Sequence, residues 1–110
     1  MPEKTLSEIE AGVATVSDIY AARFDIERDS TWYLAKLTEE LGELTAADLK
    51  CNGKARTNGE TAAKRKQALV EETADLFAHL LLFCRDREID LEEAVRGKWL
   101  KYLAAERTGT

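Results

Sequence analysis

Apolar residues recur along this chain at alternating spacings of three and four, the period of a helix with one buried face. Leu6, Ile9, Val13, Val16 and Tyr20 form the first stripe, which Phe24 extends, and Thr5 with Glu8 has the arrangement of a capping box, so a helix is predicted from about Leu6 to Glu27. After Arg28, Asp29 and Ser30 offer caps for a second helix whose stripe is Leu34, Leu37, Leu41 and Leu44, ending near Cys51 at the Asn52-Gly53 stop signal. A short basic loop follows. Thr57 and Glu60 suit a second box, opening a third helix that carries Leu69, Leu76, Leu80 and Phe83 to about Arg87. Asp90 with Glu93 repeats the box for a fourth helix, with Ile89 as a staple and Leu91, Val95, Trp99 and Tyr102 as its stripe.

Four helices and short loops predict an all-α fold, a four-helix bundle in one domain over residues 1–110. The only proline is Pro2 and most glycines sit at the breaks, which leaves the long stretches free to be helical. Leu80 to Cys84 are apolar at five successive positions, a segment that must be covered from nearly every side. A core of this size leaves modest net stability, so the third helix is expected to pack across a subunit interface in a homodimer or homotetramer.

Composition narrows the functional classes. No apolar run approaches the length of a membrane span, and Met1 to Glu10 offers neither a signal-peptide core nor a cleavage site, so a cytoplasmic protein is expected. Cys51 and Cys84 fall inside helical patterns and read as free thiols in a reducing compartment. A net charge of −5 disfavours nucleic acid as a partner.

Within this frame the carboxylates stand out. In KLTEELGEL, residues 36 to 44, Glu40 and Glu43 lie three apart and project at the rim of the leucine stripe, while Glu39 points elsewhere. VEETADLFAHL, residues 70 to 80, places Glu72 and Asp75 likewise, with His79 between them in projection. Either pair alone reads equally as a solvated helix face. If the two stripes pack together, four carboxylates converge on one cleft, where their repulsion calls for cations. Oxygen-only ligands suit magnesium or manganese rather than zinc, and Leu76 three residues before His79 removes the Glu-x-x-His pairing of a di-iron bundle.

EELGE at residues 39 to 43, followed after a basic loop by EETAD at 71 to 75, resembles the paired signature of the MazG-type nucleotide pyrophosphohydrolases. That all-α superfamily includes dCTP pyrophosphatases, dimeric dUTPases and phosphoribosyl-ATP pyrophosphohydrolases, and the likeness runs from about Ser30 to Leu103. It implies Glu40, Glu43, Glu72 and Asp75 as ligands of magnesium, with manganese as a substitute, and Glu39 as the leading glutamate of the motif. It also implies substrate contacts for His79 and for Lys98 on the inner side of the fourth helix, and Lys36 is grouped with them. For His79 the alternative is a satisfied histidine on the helix flank, and for Lys98 a lysine laid along apolar surface. Tyr102 stands where relatives often have asparagine, which leaves the base open. Trp32 and Trp99 could stack on a base, though core or interface anchoring is the commoner use. Lys54, Arg56, Lys64, Arg65 and Lys66 form a basic patch around the loop that could close over the triphosphate, though a solvated charge run is the commoner use of such a stretch.

The resemblance implies hydrolysis of a nucleoside triphosphate to monophosphate and pyrophosphate, as a clearance activity on unwanted nucleotides, with Glu39 or Glu43 taking the proton of the attacking water. Phosphoribosyl-ATP is the alternative substrate. The rival class is a non-catalytic helical docking module, in which the acidic rim is only soluble surface.

Overall fold

A computed structural model of the protein describes residues 5–103. The reading of the N-terminus falls in part on Met1 to Lys4, outside those residues. Helix α1, Leu6–Phe24, begins where Thr5 accepts from the Glu8 amide at 3.2 Å while the Glu8 carboxylate reaches back, the full capping box. It stops three residues short of expectation because Asp25 turns left-handed (φ 53°) and closes the last turn on Ala21. Arg28 then ties the loop back to α1 through Ser17 and Asp18, each at 2.8 Å.

Helix α2, Ser30–Cys51, starts under Asp29, whose carboxylate accepts from the Trp32 amide at 2.8 Å. It ends at Asn52 and Gly53, the glycine taking φ 69°. Helix α3, Ala62–Asp86, does not start at Thr57 as the sequence suggested. Asn58 and Gly59 both take positive φ, which no first helical turn can contain, so Thr57 caps only a tight turn and Thr61 becomes the N-cap, accepting from the Lys64 amide at 3.1 Å. Helix α4, Leu91–Val95, opens under Asp90 and runs on through a π-helical stretch, Arg96–Leu100.

The described residues are therefore all helical, without strands. Antiparallel α2 and α3 pack along their length as a hairpin, and α1 lies against α3. Arg87 donates to the Ser30 carbonyl at 3.2 Å and so fastens the open end of the hairpin. Leu81, Leu82 and Cys84 are buried, together with Ala14 and Ala47. One chain thus covers much of the Leu80–Cys84 segment, contrary to the expectation that only a second subunit could, because α1 closes over the back of α3.

Apolar surface is left over elsewhere. Leu34 and Leu41 are about half exposed, and every residue from Glu92 to Leu103 is exposed, so the stripe expected to bury Val95, Trp99 and Tyr102 is uncovered within one chain. The radius of gyration, 17.6 Å, exceeds the roughly 13 Å of a compact domain of this length. All four expected helices exist, but α4 stands away from the other three beyond its first turn.

Candidate metal centre and its two flanking cavities

Helix rotation decides what the hairpin buries. At about 100° per residue, Glu40 and Ala47 share a line, and they are the two buried positions of α2. The leucines expected at the centre of the packed face flank that line instead, and Glu40, expected at the rim, is only 6% exposed. Across the hairpin, Glu72 and Asp75 present carboxylate oxygens that lie with one of Glu40 within 4.8 Å of one another. Oxygens of Glu39, Glu40 and Glu43 form a second such group. Glu40 belongs to both, so all five acidic candidates meet around one buried side chain.

Such crowding is costly without cations. Burial pushes the Glu40 carboxyl up to about 7, helped by the hydrogen bond and charge of Glu43 and by the charge of Asp75, against the pull of Lys36. Burial and then the charges of Glu43 and Asp75 raise Glu72 as well. Glu40 Oε2 and Glu72 Oε2 are buried without a hydrogen-bond partner among the described residues. Two unpartnered carboxylate oxygens in an all-oxygen donor set fit a hard divalent cation.

Lys36 and His79 reach the same carboxylate. Lys36 Nζ lies 3.2 Å from Glu39 and 3.8 Å from Glu40, and His79 Nε2 lies 3.7 Å from Glu40. Burial lowers the His79 pKa and Lys36 lowers it further, against the charges of Asp75, Glu39 and Glu43, which favours the neutral imidazole at pH 7; Nδ1 is buried without a partner among the described residues, and the ring is edge-on to Trp32. Lys98 is not brought to the cluster. It sits on the exposed stretch of α4 and lines neither cavity beside the carboxylates, because its placement on an inner face assumed that α4 closes the bundle within one chain.

Two cavities adjoin the carboxylates. One, of about 720 Å³, runs between α1 and the hairpin and is mostly apolar, with Tyr20, Phe24 and Trp32 in its walls and Lys36, Asp75 and His79 at its inner end. The other, of about 240 Å³, lies beside Glu43 and Glu72 toward the closed end of the hairpin and holds Lys50 and Arg65. Lys50 had not been singled out, and Arg65 had been read as part of a solvated run. A signal was present: Lys50 follows Glu43 by seven residues and Arg65 precedes Glu72 by seven, two helical turns on the same faces.

An all-α hairpin with carboxylates gathered across it from both helices has a donor set suited to a divalent cation, the kind of site a metal-dependent phosphoanhydride hydrolase uses. The model of the phosphoribosyl-ATP pyrophosphohydrolase family matches residues 13–97, and the chain belongs to that family, within the MazG-like all-α superfamily. It is a nucleotide pyrophosphohydrolase of the acid anhydride hydrolase kind. Neither the curated proteins nor the solved structures contain a significant match to the chain.

Proposed function

We propose that the protein hydrolyses a nucleoside triphosphate to the monophosphate and pyrophosphate, with magnesium, or manganese in its place, held by Glu40, Glu43, Glu72 and Asp75. The position of Glu40 supports this above all: one buried carboxylate shared by two acidic groups is expensive in a merely soluble surface and useful in a cation site. When bound, magnesium neutralises phosphate charge and acidifies a water. Glu39 or Glu43, both exposed, is the carboxylate to which this reading assigns the proton of that water. Lys36 positions Glu39 and Glu40 and offers its charge to the phosphates, and the neutral His79 donates or accepts one hydrogen bond to the substrate. The groove between α1 and the hairpin takes the nucleoside, for its volume lies within the roughly 300–1,000 Å³ usual for such ligands and its walls are aromatic and aliphatic.

The family match favours phosphoribosyl-ATP as a second reading, since it would release pyrophosphate through the same carboxylates. An extra phosphate in the groove would need a further free cation, and the two there are engaged, Arg28 by Asp18 and Ser17 and Lys36 by Glu39 and the phosphates of the anhydride, which favours the simpler nucleoside. The test is pyrophosphate release from a panel of canonical and modified nucleoside triphosphates and phosphoribosyl-ATP, with magnesium, with excess EDTA, and with Glu72→Gln. Magnesium-dependent release abolished by the substitution is expected; release that survives EDTA and Glu72→Gln would sink the assignment, and silence across the panel would favour a docking module.

The partner we propose is a second copy. Leu34 and Leu41 on α2 project on the flank opposite Lys36 and Glu43, and Leu69, Leu76 and Leu80 continue that apolar flank on α3. Two helices of about 33 Å, spaced about 10 Å apart, present roughly 600 Å² each way, or about 1,200 Å² in a two-fold pair, the lower bound for a stable interface. Leu41→Glu is expected to shift sedimentation from dimer or larger to monomer. A wild-type protein that is monomeric at micromolar concentration would remove the premise. Its compartment is expected to be the cytoplasm; among the described helices none is long and apolar enough to cross a membrane.

A further inference from the structure

The two cavities are unlike in ways that give the substrate a direction. The smaller, at about 240 Å³, falls below the roughly 300 Å³ at which pockets begin to hold nucleoside-sized ligands. Its apolar lining consists of Ala46, Ala47 and Ala68, which leave space and offer a base nothing to stack on. Its polar groups are Glu43 and Glu72 from the acidic cluster, the two cations Lys50 and Arg65, and a third carboxylate, Glu60, beside those cations. A space of this size between a divalent-cation site and two fixed cations suits a small polyanion.

Neither cation is saturated by its present partner. Lys50 Nζ stands 3.8 Å from Glu60 Oε1, too far for a hydrogen bond, and that oxygen is buried with no hydrogen-bond partner among the described residues. Arg65 donates from one guanidinium nitrogen to the Glu60 backbone carbonyl and lines the cavity, which leaves its other N–H groups available to an anion. Glu60 therefore holds the place of an anion without making an anion's hydrogen bonds.

We propose that this cavity is the subsite for the pyrophosphate half of the substrate, with Lys50 and Arg65 binding the β- and γ-phosphates and Glu60 occupying the subsite when it is empty. The proposal rests on the hydrolase reading above and adds an orientation to it. The nucleoside lies in the groove beside α1, the scissile anhydride crosses the carboxylates, and the terminal phosphates point toward the closed end of the hairpin. Lys50 and Arg65 are substrate-positioning residues here; the two-turn spacing from Glu43 and Glu72 keeps them on the faces that hold the metal ligands.

The test is calorimetric titration of the full chain, in magnesium, with inorganic pyrophosphate and separately with a nucleoside monophosphate. Lys50→Met and Arg65→Gln are each expected to weaken pyrophosphate binding about tenfold or more, the usual cost of one charge-assisted phosphate contact, and to leave monophosphate binding unchanged. Glu60→Gln, which removes the competing charge, is expected to bind pyrophosphate as tightly as wild type or more tightly, an effect that loss of structure would not produce. Lys50→Met keeps the question answerable if Arg65→Gln fails to fold. Wild-type pyrophosphate affinity in Lys50→Met, equal losses for both ligands, or no pyrophosphate binding by an active wild-type enzyme would each overturn the subsite. An inactive wild-type protein that still binds pyrophosphate through Lys50 would overturn the hydrolase reading instead and leave the subsite standing.

Discussion

Replacing Glu40 by glutamine keeps the shape of the side chain and removes its charge, so it measures what burying that charge among other carboxylates costs the fold. The Glu40 carboxyl is raised from 4.5 to about 7 in the folded chain, burial being the largest cause. At roughly 1.4 kcal/mol per pH unit that displacement amounts to about 3 kcal/mol between the two protonation states. The folded chain binds this proton more tightly than the unfolded chain does, so stability falls as pH rises between the two values. The contribution of the group is fully present below pH 4.5 and is lost as pH passes through about 7. At pH 8 in EDTA, Glu40→Gln is therefore expected to be more stable than wild type by about 2–3 kcal/mol, a melting temperature higher by roughly 10 °C, whereas the two should nearly coincide at pH 5. Glu72, raised in the same sense, leaves a residual slope of the same sign in both proteins. Millimolar magnesium should reverse the order at pH 8, because only the wild type keeps the full donor set and gains stability through linkage. Circular-dichroism melts at one fixed protein concentration supply the assay, since association also shifts apparent stability. If wild type in EDTA is as stable as Glu40→Gln at pH 8, and their pH profiles run parallel, the account of a strained carboxylate awaiting a cation is wrong.

Three further outcomes follow from the geometry. Leu81 is only 1% exposed, so Leu81→Ala should cost about 2–5 kcal/mol in denaturant unfolding, and a loss under about 1 kcal/mol would mean that the contact of α1 with α3 is not the core of the chain. The single histidine can be followed by its ring proton resonances in EDTA: burial and Lys36 should place the His79 midpoint below 6.5, and a midpoint above it would contradict the packing against Trp32. Thr61→Ala should lower stability by about 1 kcal/mol and Thr57→Ala by much less; the reverse ranking would restore the earlier helix start.

The caps made the helices legible. Thr5, Asp29 and Asp90 each sit before an apolar stripe, and all three act as N-caps, because a short oxygen-bearing side chain in extended backbone is a local solution to a local need. The third start was misread for a reason equally local: Thr57 with Glu60 matches a capping box and Thr61 with Lys64 does not, yet the left-handed Asn58 and Gly59 move the start to Thr61. The carboxylate pairs were legible through their three-residue spacing, and the structure does bring them together. Lys98 was placed by supposing that α4 closes the bundle, and no local pattern says whether a stripe meets its own chain or another.

The second helix shows where periodicity stops. Leu34, Leu37, Leu41 and Leu44 mark the middle of an apolar arc, and an arc centred on leucine would ordinarily turn leucine toward its neighbour. Here α2 is rotated so that Glu40 and the small Ala47 face α3 while Leu34 and Leu41 stay about half exposed. A monomer optimised only for its own core would not choose that rotation, since it buries a charge and leaves leucines wet. The choice becomes reasonable when both sides of the hairpin have work to do: carboxylates inward for a cation and a polyphosphate, leucines outward for a second copy. Leu41→Glu and Glu40→Gln separate the two demands. The first should abolish association while leaving magnesium-dependent stabilisation measurable in the monomer, and the second should abolish the magnesium response without changing the sedimentation coefficient. If either substitution removes both properties together, the two faces are not independent, and the rotation of α2 needs another explanation.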